Sequence, residues 1–216
     1  MKSLISSLLI IVVAIGAGYF ALSDRNEEST IAETQVLSKG EILGLSYMRE
    51  EEKLARDVYT KLYEKWGMQI FSNIASSEQT HMDEVLAVLN KYELEDPVKS
   101  DQVGVFVDPN LAKLYQELAT RGLASIEEAL TVGALIEDLD IYDLSRYMDQ
   151  TENADITRVY ENLARGSRNH LRSFASQLKS RGIQYVPKYI SLSEYEDILS
   201  SDKETGPQGP GGRRNP

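Results

Sequence analysis

Cysteine is absent, which excludes disulfides, zinc–thiolate sites, thiol catalysis and cysteine-ligated iron–sulfur clusters. Basic residues are in deficit, 23 against 34 acidic. No basic cluster interleaved with aromatics occurs, so nucleic acid is not an expected partner. Histidine is rarer still, since His81 and His170 are the only two. The last long helical stretch holds no proline and no β-branched run, and Gly166 is its one weak helix former.

Long hydrophobic runs are missing except at the start. Leu4 to Leu22 is apolar apart from Ser6 and Ser7, then gives way to SDRNEEST. The run matches a membrane span of roughly 20 residues and exceeds the usual core of a signal peptide. Ala14, Gly16, Ala17 and Gly18 leave cleavage open. Residues 1–23 are therefore expected to be a membrane anchor or a signal peptide. Lys2 before the run and Asp24, Glu27 and Glu28 after it place the body outside the cytoplasm. It is tethered to the membrane through residues 4–22, or secreted if the segment is cleaved.

The 216 residues accommodate one domain of about 150 residues plus appendages. Residues 24–37 read as a polar linker, 38–200 as the folded domain and 201–216 as a disordered tail ending in GPQGPGGRRNP. The periodicity is that of helices, so the class is all-α. Ser38 and Glu41 form a capping box for a first helix that stops at Gly67, and Ser125 and Glu128 a second box for the third long helix. Between the second and third long helices, VGVFV and a short helix starting at Pro109 lengthen the connection. Beyond Pro187, KYISLSEYEDIL reads as a short docked helix.

Four stripes at three-and-four spacing carry the chemistry. The first is Leu45, Met48, Glu52, Ala55, Tyr59 and Leu62; Glu50, Glu51 and Lys53 fall elsewhere and are expected in solvent, although Glu51 lies close enough to the stripe to rival Glu52. The second is Phe71, Ile74, Glu78, His81, Val85 and Val88. The third holds Gly133, Glu137, Asp140, Leu144 and Tyr147, and the fourth Ile156, Tyr160, Leu163, Ser167, His170 and Phe174. An acid or imidazole inside an apolar stripe costs several kcal/mol unless it is paired. A bound cation is one such partner. Glu52, Glu78, His81, Glu137, Asp140 and His170 are the expected ligands: four carboxylates balance two divalent cations, and two imidazoles supply one nitrogen each. Oxygen-rich sites with few imidazoles suit iron or manganese.

These residues also carry a resemblance. Glu52-Lys-Leu-Ala55-Arg56-Asp-Val-Tyr59 resembles the Glu-x-x-Ala-Arg-x-x-Tyr run on the first helix of rubrerythrins, and Glu78-Gln-Thr-His81 the Glu-x-x-His of their second helix. From about Leu37 to Leu199, with YMREEEKLARDVY, SEQTHMDEVL, VGALIEDLDI and RGSRNHLRSF, the chain is similar to the ferritin-like family called domain of unknown function 2202. The resemblance implies a ferritin-like four-helix bundle with a long crossover between helices 2 and 3, and a di-iron carboxylate centre. Two departures stand out. Rubrerythrins have a Glu where Ser167 stands, so Asp140 is the candidate replacement. They also carry a cysteine-ligated iron domain that this chain lacks, so electrons must come from a separate donor.

The expected function is thus oxidase, peroxidase or ferroxidase chemistry on dioxygen or peroxide, by a monomer or homodimer. The alternative is a non-catalytic metal-binding or interaction module of the cell envelope. Arg56, Tyr59, Tyr160 and Ser167 are the residues expected around the ligands, with Arg56 either on a ligand carboxylate or in a surface ion pair, and the two tyrosines packed in the core rather than hydrogen-bonded into the pocket.

Overall fold

The computed structural model describes residues 36–206. Among them are six helices and no strand: α1 (Lys39–Trp66), α2 (Gln69–Lys91), α3 (Pro109–Gly122), α4 (Ile126–Met148), α5 (Ala154–Lys179) and α6 (Leu192–Ser200). The protein is all-α. No described helix is long and apolar enough to cross a membrane. The expected span at 4–22 lies outside the described residues, as do most of the linker and the tail beyond 206.

Local signals set the helix ends. Ser38 Oγ accepts from the Glu41 N–H at 3.2 Å, and Glu41 Oε2 accepts from the Ser38 N–H at 2.7 Å, so the first capping box is complete. Gly67 ends α1 with φ of +63°, a left-handed conformation that glycine adopts without steric cost. The second box is only half formed. Ser125 Oγ accepts from the Glu128 N–H, but the Glu128 carboxylate turns to Arg121 at 2.5 Å. Pro109 opens α3, where Asp108 accepts from the N–H groups of Asn110 and Leu111.

The four long helices close a ring in which α1 packs on α2, α2 on α5, α5 on α4 and α4 on α1. Two apolar clusters fill it. One includes Leu54, Leu62, Phe71, Leu130 and Phe174, and the other Leu45, Met48, Leu89, Ile156 and Leu163. The stripes cross from one cluster to the other, and on every helix the acidic and imidazole residues fall at the crossing. A polar layer is therefore held between two dry cores. The order of the clusters along each chain segment shows that α1 and α5 run one way, α2 and α4 the other. Because α2 and α4 run parallel, the chain must travel back the length of the helices between them. Residues 92–125, which include α3, do this.

That crossover overturns one expectation from the stripes. Glu50, Glu51 and Lys53, expected in solvent, are all buried. Irregular backbone packed on a helix needs partners for its amides and carbonyls, and α1 provides them. Glu50 accepts from the N–H groups of Val107 (2.6 Å) and Asp108 (2.9 Å), and Asp57 from that of Gly104 (2.9 Å). Lys53 donates to the Gln102 carbonyl at 2.8 Å and to Asp57 at 2.5 Å, with its ammonium over the Phe106 ring. Arg49 holds Asp96 through two N–H groups. Asp138 does the same for the 185–190 segment, accepting from the Tyr185 hydroxyl and the N–H groups of Lys188 and Ile190.

The expected disordered tail from residue 201 also needs correction. Residues 201–206 lie against α5, because Glu204 accepts from Arg168 (2.5 and 2.8 Å) and Arg172 (2.9 Å), and Asn169 bonds both the N–H and the C=O of Glu204. The hydrogen bonds from Arg168 depress the Glu204 carboxyl to about 2, against the opposing effect of partial burial. A depressed carboxylate contributes stability above its unfolded value near 4.5 and loses it as pH falls toward its folded value. Hydrogen exchange of residues 201–206 should therefore accelerate as pH drops from about 4.5 to 2, after correction for intrinsic rates. Glu204→Ala should show the fast exchange at every pH.

Candidate metal centre

The polar layer is built from one or two side chains on each long helix. On α1, Glu52 projects inward between Met48 and Ala55. On α2, Glu78 and His81 stand one turn apart on a single face, and the imidazole Nδ1 lies 2.7 Å from Glu78 Oε2 and 3.2 Å from Glu52 Oε2. On α4 and α5, Glu137 and His170 meet, with His170 Nδ1 3.4 Å from Glu137 Oε2 and 3.0 Å from Glu78 Oε1. Two groups result, Glu52–Glu78–His81 and Glu78–Glu137–His170, each with its ligand atoms within 4.8 Å of one another. Glu78 belongs to both. The two imidazoles stack with centroids 5.8 Å apart, so the groups are arranged alike about the shared carboxylate.

These atoms fit a cation better than they fit each other. His170 Nδ1 and Glu78 Oε1 are close but make no hydrogen bond, and Glu52 Oε1 has no partner either. Buried polar atoms are nearly always bonded, and here several converge on shared space instead. The electrostatics agree. Burial raises the Glu52 carboxyl to about 8 despite the nearby charge of His81. Burial and the charge of Glu78 raise Glu137. Burial would also raise Glu78, but the charges of His170 and His81 hold it well below the usual range. Burial alone would lower His170; the carboxylates of Glu78 and Glu137 overcome it and push the ring up to about 10. A cation bound there would take over the neutralising that otherwise falls to protons.

Asp140 stands beside the layer. Its Oδ2 accepts from the Ser167 hydroxyl, its Oδ1 has no partner, and it belongs to neither ligand group. Burial and the charge of Glu52 raise its carboxyl well above the usual range. Ser167 thus orients the acid that was expected to substitute for it.

Residues 41–202 match the sequence profile of the family described as "Uncharacterized protein domain (DUF2202)". The chain belongs to that family. It is 56% identical over 172 residues to the uncharacterized protein MJ0754 of Methanocaldococcus jannaschii, covering 80% of this chain and 93% of the relative. The crystal structure of hypothetical protein MJ0754 superposes with a TM-score of 0.78, covering 79% of this chain and 97% of that one.

Around the centre of this DUF2202 domain, the expected neighbours divide. The Tyr59 hydroxyl donates to Glu137 Oε1 at 2.5 Å and also lies 3.2 Å from the Gly133 carbonyl. Burial and the charge of Glu137 raise its pKa well above 10, so it stays a donor. Arg56 does not hydrogen-bond to a ligand carboxylate: it reaches Asp57, Gln79 and Asp101 and braces the crossover. Tyr160 does not reach the layer either. It packs in the second apolar cluster against Tyr147, near the start of α1.

Two features of the site lie outside what the stripes indicate. Glu51 is buried with both oxygens unpartnered, and burial together with the charges of Asp140 and Asp143 raises its carboxyl far above the usual range. Its position beside the first stripe is the one local signal that marks it, and that signal does not show the burial. Gly166 is the other. A Cβ there would lie 2.5 Å from His81 Nε2, so the imidazole occupies the space a side chain would take. A lone glycine inside a helix is the signal that could have found it. Gly166→Ala should improve helix propensity by about 0.5–1 kcal/mol yet force the His81 ring away. The expected result is unchanged or higher thermal stability of the metal-free protein, with metal lost from the His81 side by elemental analysis.

Proposed function

We propose that this chain is a ferritin-like protein whose buried centre holds two redox-active cations, iron or manganese, and reacts with dioxygen or peroxide using electrons from a separate donor. The observation that carries this reading is the shared carboxylate: Glu78 belongs to two groups that each add one imidazole and one further carboxylate. Inward-facing Glu and Glu-x-x-His residues on four packed helices are the arrangement of di-iron and di-manganese carboxylate proteins. The parallel course of α2 and α4, with its long crossover, supports the ferritin-like part of the proposal. Glu52, Glu78, Glu137 and Asp140 supply four negative charges to balance two divalent ions, with Asp140 completing the charge from beside the ligand groups.

Bound there, such cations supply the electrons that reduce the oxidant. The chain's own residues supply the rest. Glu52, Glu78 and His81 would hold one cation, and Glu78, Glu137 and His170 the other. Tyr59 fixes the rotamer of Glu137, and Ser167 that of Asp140, so both acids are held before any ligand arrives. Phe71, Phe174 and Tyr59 close one end of the layer, and Leu45, Met48 and Leu163 the other. Water is excluded from both directions, which strengthens electrostatic interactions inside. Residues 4–22 would tether the domain to a membrane, with the helices outside the cytoplasm.

Protein purified from iron-supplied cells should hold about two metal ions per chain, the number the charge balance predicts. Glu52→Ala should lose metal, whereas Glu51→Ala should keep it. The loaded protein should consume peroxide faster than the metal-free protein once an artificial electron donor is present. Equal rates for the two forms, with metal bound, would favour a non-catalytic metal-binding module, as the serine at position 167 also does.

A further inference from the structure

The two ligand groups share a carboxylate but not an environment. On the His81 side the imidazole lies against the backbone of Gly166 with no room even for a methyl group. On the His170 side a groove of about 750 Å³ opens between α2 and α5, and His170 is part of its lining. Asn73 and Ser77 face it from α2, Asn169 and Ser173 from α5, and Lys203 from the docked C-terminal segment. No carboxylate is among its lining residues, in a chain with 34 acidic residues against 23 basic.

That composition selects what can use the groove. Hydroxyls and amides both donate and accept hydrogen bonds, and the Lys203 ammonium repels cations and attracts anions. Apart from His170 at its inner end, the lining offers no side chain that would draw in a metal ion. Catalytic metal sites keep one position open to an outside ligand, whereas closed sites do not. We propose that the α2/α5 groove is the route by which a small hydrogen-bonding molecule, neutral or anionic, reaches the cation held by Glu78, Glu137 and His170. The Glu52–Glu78–His81 side is closed to outside ligands. The inference rests on the metal-centre reading above and adds to it which of the two positions reacts. Lys203 owes its place at the rim to Glu204, whose bonds to Arg168 and Arg172 hold the segment on α5.

Azide is the probe, read by optical titration of the ferric, iron-loaded full chain, with metal content measured on the same samples. Ser173 is exposed and Ser77 half-buried, so phenylalanine at either position fills the groove without entering the core. Ser77→Phe and Ser173→Phe, singly and together, should leave two metals per chain and weaken azide binding by about tenfold or more. Lys203→Glu should weaken it several-fold, and more so at low salt. Ser145→Phe, on the exposed outer face of α4, should change nothing. Two metals per chain with undiminished azide affinity in the filled groove would overturn the route while leaving the metal centre intact. A wild-type chain that binds no metal would overturn the centre itself, and the route with it.

Discussion

Like charges buried together are the constraint on which this structure turns. Glu52, Glu78, Glu137, Asp140 and Glu51 lie within one layer of the interior, all nearly inaccessible to solvent. A carboxylate in such surroundings must be protonated, paired or bound to a cation, since an isolated buried charge costs many kcal/mol. Without a cation the requirement would fall to protons, for burial raises those carboxyls other than Glu78, and neighbouring carboxylates raise both imidazoles. The arrangement is costly for a purely structural core. Hydrophobic residues of similar volume would pack there at no electrostatic penalty, and that is the physical argument for a cation.

The rest of the fold is arranged to keep this layer in place. Apolar clusters above and below it make the helices adhere, and burial of that area is the main favourable contribution to folding. The outer face of α1 is as charged as the inner one, yet its task is different. Glu50, Lys53 and Asp57 satisfy the backbone of the crossover, and Arg49 and Arg56 hold its acidic side chains. The same helix thus carries two sets of buried charges, one tied to loop amides and carbonyls and one without such partners. Partnership rather than burial separates them: Glu50 accepts two backbone N–H groups, whereas Glu51 and Glu52 retain buried oxygens without any partner.

Glycine sets the asymmetry of the layer. Gly133 makes room for the Phe174 ring, whose atoms would lie 2.4 Å from a Cβ at that position, and Gly166 makes room for His81. His170 lies less tightly against Gly166, its Cε1 3.9 Å from that Cβ position, and borders a polar groove. Two chemically similar ligand groups are therefore distinguished by what packs on their imidazoles.

Much of this is legible in the amino-acid sequence by itself. Spacing at three and four residues determines which face of each long helix turns inward, because side-chain direction along a helix is a local property. It singles out Glu52, Glu78, His81, Glu137, Asp140 and His170 as facing the interior, and the caps at Ser38, Ser125 and Gly67 locate helix ends by equally local hydrogen bonding and backbone preference. Periodicity does not say what lies opposite a given face. Helix packing is what brings His81 to Glu52 and His170 to Glu137 around a shared Glu78, and lets Ser167 hold Asp140 aside. Only the tertiary structure showed that Arg56 braces the crossover and that Tyr160 belongs to the core near the start of α1. Glu51 and Lys53 read as solvated because a single helix has a wet side; packing of the crossover and of α4 removed it. Contacts between helices depend on direction, order and close approach, and those are properties of the assembled chain rather than of any stretch within it.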